Sequence, residues 1–113
     1  MKIEYKGIME NVVTFLKSGT VNIGDMVKVT ASDTVAVCVA GDVFDGIAVS
    51  VGENIVGVQL TGFAELPVAS APGFGKQVFA VGENGTITTA QTGRECRVVS
   101  YDSVAGTATV YFR

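Results

Sequence analysis

Residues 55–67 read IVGVQLTGFAELP, and this stretch decides which class of fold the sequence predicts. From residue 55 to residue 60 the larger apolar side chains alternate with smaller or polar ones, and residues 62–66 continue the run. A period of two residues is typical of a β-strand, because successive side chains of a strand point to opposite faces of the sheet. Pro67 ends the run, since proline has no N–H to donate to a neighbouring strand. The stretch therefore predicts an extended strand.

Short runs of the same kind lie on both sides of this stretch. The further predicted strands are residues 12–16, 26–30, 35–39, 46–51, 76–81, 86–89, 95–101 and 107–112. Asn84-Gly85 is a hairpin signal because both residues tolerate positive φ, and residues 68–75 are small, uncharged and predicted to form a surface loop. We predict an all-β fold, a small single-domain β-barrel or β-sandwich of about nine short strands, with the choice between barrel and sandwich open.

The N-terminal part of the chain has a second interpretation. Residues 7–17 carry apolar side chains at the three- and four-residue spacing of an amphipathic helix. The β-branched side chains in this segment favour a strand, because they lose side-chain freedom against the preceding turn of a helix. We therefore predict a strand here and keep the helix as the alternative.

The charge distribution argues against several kinds of partner. The 113-residue chain has a net charge of −3, and no lysine or arginine occurs between Lys28 and Lys76. An acidic surface repels phosphate, so we expect no binding to nucleic acid or to an anionic membrane. The longest strongly apolar stretch, residues 35–40, is too short to span a bilayer, and the N-terminus lacks the apolar core of a secretory signal. We therefore expect synthesis in the cytoplasm, with free cysteines.

The sequence predicts no catalytic apparatus, metal site or cofactor. The chain contains no histidine, so a Ser-His or Cys-His nucleophile pair is excluded. Residues 41–46, GDVFDG, place two carboxylates between glycines, and they are interpreted as a turn rather than a calcium loop because the other ligands of such a loop are missing. Cys38 is predicted to lie in the core. For Cys96 an exposed thiol with a pKa lowered by Arg94 and Arg97 is one option, and a structural role is the favoured one.

Two segments offer candidate contact residues. In Gly73-Phe74-Gly75 the ring either tips a binding loop or folds back onto the core, and both interpretations are open. Phe63 is interpreted as a buried anchor, and Glu65 either contacts a partner or is simply solvated. The candidate interface residues are Phe63, Glu65, Leu66, Pro67 and Phe74.

A succession of motifs carries a family resemblance. The motifs are residues 24–29 (GDMVKV), 45–49 (DGIAV), 56–67 (VGVQLTGFAELP), 69–71 (ASA), 76–79 (KQVF), 84–88 (NGTIT) and the closing 105–112 (AGTATVYF). In this order and spacing they resemble the bacteriophage capsid cement, or head decoration, proteins, over residues 21–113. The resemblance implies a virion protein on the capsid surface, made in the bacterial host, with the major capsid protein as partner and a trimer as its own assembly.

Residues 1–20 depart from the family pattern. Ile3, Tyr5 and Ile8 are set among charges, and this motivates the hypothesis of an arm that reaches a neighbouring subunit. The alternative function is a carbohydrate- or receptor-binding β-module of a tail fibre or adhesin. Such a module needs exposed aromatic rings, whereas this chain has no tryptophan and only 8% aromatic residues.

Overall fold

A computed structural model describes residues 11–112, and the strand pattern predicted from the sequence is confirmed there. The strands are β1 Asn11–Lys17, β2 Met26–Ala31, β3 Thr34–Val37, β4 Gly46–Val51, β5 Ile55–Pro67, β6 Gly75–Val81, β7 Ile87–Thr89, β8 Arg94–Asp102 and β9 Thr107–Phe112. A short 3₁₀ turn, Glu83–Gly85, joins β6 to β7. The protein is therefore all-β, as predicted.

The first five strands close into a barrel. The hydrogen-bonded order is β1-β3-β2-β4-β5, and β5 pairs again with β1. The β1–β3 pair is parallel and the other four pairs of the ring are antiparallel. Successive side chains of a strand point alternately into and out of the barrel. The residues buried in the barrel interior are Val21, Val27, Val35, Ala48, Val56 and Val58.

Strand β5 belongs to the barrel and to a second sheet. It is 13 residues long, and it changes partners at Gly62, whose φ of +118° only glycine adopts without strain. Before this point β5 pairs with β1 and β4, and after it β5 pairs with β9. The second sheet has the order β5-β9-β8-β6-β7. The fold therefore combines a five-stranded barrel with a curved sheet that grows from its longest strand.

The connection between β3 and β4 closes the open side of the second sheet. Gly41 N–H donates to Val81 O at 2.8 Å, and Val81 N–H donates to Asp42 O at 2.9 Å. Phe44 is fully buried in this connection, and its ring packs edge-on against Phe112 with centroids 5.8 Å apart. The core beneath the second sheet therefore draws on both halves of the molecule, with members that include Met26, Cys38, Ile47, Leu66, Phe79, Ile87, Val98 and Val110.

Several local predictions can be compared with the structure. Residues 11–17 form a strand, so the helical alternative is wrong for that part of the segment. The third strand ends at Val37, one residue before Cys38, which was predicted to lie within it. Asn84 has a φ of +58° and the residue after it a φ of +73°, as the hairpin signal predicts. Residues 1–10, the half of the hypothetical arm that contains Ile3, Tyr5 and Ile8, lie outside the described residues, while Asn11–Lys17 pairs with β5 and β3.

Candidate functional site

Three of the candidate interface residues lie on one face of the second half of β5. Phe63 is half-buried, and its ring lies 4.9 Å from that of Tyr111 on β9. Glu65 is exposed and accepts a hydrogen bond from the Thr107 hydroxyl at 3.0 Å. Pro67 is exposed at the end of the strand. Leu66 points to the opposite face and is only 2% exposed, so it belongs to the core and not to an accessible surface.

Phe74 presents its ring to solvent. Its side chain is 66% exposed, so the interpretation in which it folds back onto the core is wrong. The loop around it is held in place, because the Gln77 side-chain amide donates to Phe74 O at 3.4 Å and Gly75 begins β6 by pairing with Val98. The aromatic ring is therefore displayed next to an ordered strand end.

The turn between β8 and β9 displays a second apolar side chain that the sequence analysis did not single out. Val104 is 96% exposed. One carboxylate oxygen of Asp102 accepts the N–H groups of Val104 and Ala105, at 3.0 and 3.1 Å, and Gly106 N–H donates to Asp102 O at 2.9 Å. These hydrogen bonds fix the turn, so Val104 projects from a rigid support. The signal in the sequence was an apolar residue between a turn-forming aspartate and a glycine.

These features lie toward the same end of the molecule. Pro67 is paired with Thr107, and Val68 N–H donates to Gly106 O at 3.0 Å, which places the end of β5 beside the turn. The first residue of β6, Gly75, is paired with Val98 of β8. From Val98, β8 continues for four more residues, a length of about 13 Å, to the turn that joins it to β9. We call the surface formed by Glu65, Pro67, Phe74 and residues 102–106 the tip surface. Residues 62–75 and 98–112 carry the carboxylates of Glu65 and Asp102, and the next residue of β6, the exposed Lys76, is paired with Glu95 at 3.5 Å.

Two open grooves lie elsewhere on the described surface. One has a volume of about 700 Å³, and the described residues that line it are small or polar, among them Ala40, Gly82 and Thr88, with no aromatic ring. The other, about 660 Å³, lies between the barrel and the start of β8, and it is lined by Phe15, Leu60 and Arg94 among others. Sugar-binding sites stack rings against aromatic faces, so the first groove does not favour a carbohydrate ligand.

Of the two aspartates of residues 41–46, Asp42 acts as a turn residue, whereas Asp45 ties the β3–β4 connection to β2. Asp42 accepts Val39 N–H at 2.9 Å and forms an ion pair with Lys28 at 2.7 Å, while Asp45 accepts Val29 N–H at 2.8 Å. The Lys28 ammonium group lowers the pKa of the Asp42 carboxyl, and the carboxylate raises the pKa of Lys28. Within residues 11–112 no group of three or more acidic or cysteine side chains is placed to hold a metal ion.

Both cysteines are buried in the core beneath the second sheet. Cys96 is 1% exposed, so the option of an exposed, activated thiol is wrong. Burial raises the pKa of each thiol to about 11, and for Cys96 this effect exceeds the opposing one of the Arg94 guanidinium. Cys38 and Cys96 are therefore protonated core residues rather than nucleophiles.

Burial of the thiols predicts how they react and how stability depends on pH. A thiol reagent should modify neither cysteine in the native protein at mildly alkaline pH, and both after unfolding in urea.

Since the folded-state pKa values lie near 11, above the ordinary 9.0, the thiols' contribution to stability is fully present below pH 9. It is lost as the pH rises through 11. The matched control is the double variant Cys38→Ala/Cys96→Ala. In urea titrations its free energy of unfolding should lack this part of the decrease at alkaline pH. Rapid modification of either cysteine in the native protein would contradict their burial in the core.

No helix among residues 11–112 is long and apolar enough to cross a membrane. Comparison of the chain with protein-family models, curated proteins and solved structures gives no match.

Proposed function

We propose that this protein is a structural component of a phage virion, a capsid cement protein that binds the outside of the head and stabilises the shell. The order of motifs along the chain supports the proposal through the resemblance to head decoration proteins. The observation that carries it is that two apolar side chains are exposed beside ordered backbone, Val104 on a turn closed by hydrogen bonds and Phe74 directly before the first residue of β6. Rigid display of apolar side chains suits binding to another protein, because little conformational entropy is lost on contact.

The major capsid protein is the proposed partner, and a trimer is the proposed assembly. A shell repeats the same surface many times, so a decoration protein with several copies of one binding surface gains affinity from simultaneous contacts. Two antiparallel pairings, β1 with β5 and β5 with β9, join distant parts of the chain into one framework. The exposed ring of Phe74 is also what the carbohydrate- or receptor-binding alternative requires, and the shell-binding test below distinguishes the two functions. The proposal includes no catalytic role.

The proposed function is tested on shells assembled from the major capsid protein of the phage that encodes the chain, produced without it. Added protein should sediment with the shells, saturate, and raise the temperature at which the shells fall apart. A control with the protein unfolded by urea and then removed from denaturant should recover the effect only as far as the fold returns. Shells that neither bind the folded protein nor gain thermal resistance would contradict the proposal.

A further inference from the structure

Strand β1 enters the described structure beside β5. Asn11, the first described residue, is paired with Thr61, with one register shift between Asn11 and Val12. Past Thr61, strand β5 continues to Pro67. Residues 1–10 are joined to Asn11, so the chain outside the described residues arrives where this second half of β5 begins.

The second half of β5 has one edge toward β9 and another that we call the outer edge. Val68 N–H donates to Gly106 O, directly before β9, at 3.0 Å. The next N–H along the chain, that of Ala69, donates to Ile87 O of β7 at 3.2 Å. Because the backbone groups of successive residues in a strand point to opposite edges, the odd-numbered residues of 63–69 face the outer edge. Strand β7 therefore bounds the outer edge at its far end.

The outer edge continues the edge along which β5 pairs with β1. The side-chain amide of Gln59 donates to Thr61 O at 3.1 Å and to Phe63 O at 3.0 Å, so these two carbonyl groups face the same side. Thr61 is the partner of Asn11. Since a carbonyl oxygen accepts two hydrogen bonds, the contacts with Gln59 are compatible with pairing along this edge. The outer edge of residues 62–65 thus lies between β1 and β7.

The residues that precede β1 match this edge. Continued without another shift, the register sets Met9 opposite Phe63 and Ile8 opposite Ala64. Phe63 and Ala64 are half-buried, and Ala64 packs against the core, so each of the two pairings brings apolar side chains together. The direct link to Asn11 holds these residues at an effective concentration that a second molecule in solution does not reach.

We propose that the outer edge of β5 is a docking site for residues 7–10 of the same chain, which pair with residues 62–65 and block this edge to pairing with another chain. An edge strand otherwise offers a row of backbone groups to other copies, which is a route to aggregation. The inference does not rest on the proposed function. It differs from the hypothesis of an arm that reaches a neighbouring subunit, because the segment docks on the chain to which it belongs.

Disulfide trapping tests the position of the segment. The variants Met9→Cys/Phe63→Cys and Ile8→Cys/Ala64→Cys are made in the double cysteine-to-alanine background described above, so that no native thiol interferes. Adjacent cross-strand pairs alternate between two geometries, so at least one of these pairs brings its Cβ atoms within reach of a disulfide. With oxidised glutathione as the oxidant, that pair should close within one chain, which mass spectrometry of the digested protein identifies.

The matched control is Met9→Cys/Val29→Cys. Val29 is half exposed and lines the groove that Asn11 also lines, so this pair would trap a segment that turns into the groove instead. Its disulfide should form at least about tenfold more slowly than that of the paired positions, because the docked segment is held at the outer edge.

Hydrogen exchange, followed by NMR, tests the pairing itself. The backbone amides of Phe63 and Glu65 face the outer edge, and they should be protected in the full chain. Deleting residues 1–10 should speed their exchange at least about tenfold, because the strand that covers them is removed. The amides of Ala64 and Leu66 face β9, so their exchange should change far less. They are the internal control that the second sheet of the shortened chain is still folded.

The outcomes separate this docking proposal from its alternatives. A disulfide within one chain, together with faster exchange at Phe63 and Glu65 in the shortened chain, supports the proposal. Disulfides that join two chains would overturn it in favour of an arm that reaches a neighbouring subunit, and faster closure of the Val29 pair would overturn it in favour of the groove. Failure of both paired variants to close, or exchange that the deletion leaves unchanged, would also overturn it. None of these results depends on whether the protein binds shells.

Discussion

Replacing Arg94 by methionine should lower the free energy of unfolding by about 3 kcal/mol, a large part of the stability of a small domain. Arg94 begins β8, and its guanidinium donates to Leu60 O of the barrel strand β5 at 2.6 Å and to Asp45 O, directly before β4. The charge also lies 4.7 Å from the centre of the Phe112 ring and 5.5 Å from that of Phe44. One side chain thus joins the second sheet to the barrel.

The size of this effect follows from what methionine leaves behind. It fills much of the same apolar space but donates no hydrogen bond, so the two carbonyl groups lose their partner inside a half-buried site. The cation–π contacts are lost as well and add to the cost. Lysine keeps the charge but lacks the planar fork that reaches several acceptors, so Arg94→Lys should lose about half as much.

The matched control is Arg97→Met, three residues along the same strand. Arg97 is exposed, so its replacement should change the free energy of unfolding by less than about 0.5 kcal/mol. Urea unfolding of the four proteins at neutral pH measures the difference. If Arg94→Met proves as stable as Arg97→Met, then Arg94 does not join the two halves of the molecule in the way described.

Substituting Gly46 by alanine should destabilise the protein by about 3 kcal/mol, the upper end of the usual cost of overpacking. Gly46 is buried at the start of β4, opposite β5. A Cβ atom there would lie 2.5 Å from the backbone oxygen of Gln59 and would also overlap the side chain of Val58. The obstacle is backbone of a strand that is paired on both of its edges, so it cannot move aside cheaply.

Gly52→Ala provides the control for this substitution. At Gly52 a Cβ atom would meet the Ile55 side chain at 3.1 Å, and that side chain is half exposed and free to turn away. The expected loss is below about 1 kcal/mol. Equal melting temperatures of the two alanine variants would show that β4 and β5 do not approach as closely at Gly46 as the structure places them.

The strands could be predicted because the alternation of apolar and polar side chains is a local property of the sequence. The closure of the barrel could not be predicted, because it depends on residues that are far apart in the sequence. The stretch of residues 55–67 shows its period of two without reference to any other part of the chain. Closure depends on the pairing of β1 with β5, which joins residues such as Leu16 and Ile55 that are far apart in sequence. The role of Arg94 could not be predicted for the same reason, since its two acceptors lie 34 and 49 residues away.

The tip surface was predicted in part. Glu65, Pro67 and Phe74 were chosen as candidates, and all three are exposed at one end of the molecule. Leu66 was chosen with them although alternation places it on the opposite face from its two neighbours, and it is in the core. The exposed position of Val104 could not be predicted from the sequence, where it is one residue of a turn between two strands. The hydrogen bonds that fix this turn depend on the position of the Asp102 side chain.

The most direct measurement of the central claim is the number of copies of this protein on phage heads. Particles from the induced source strain are purified on a density gradient, and the ratio of this chain to the major shell protein is measured by mass spectrometry. The proposed function predicts a ratio of about one copy per shell subunit, as symmetric coverage of the surface requires. Its absence from the particles would contradict the proposed function, and so would a few copies per particle, which would place the protein in the tail.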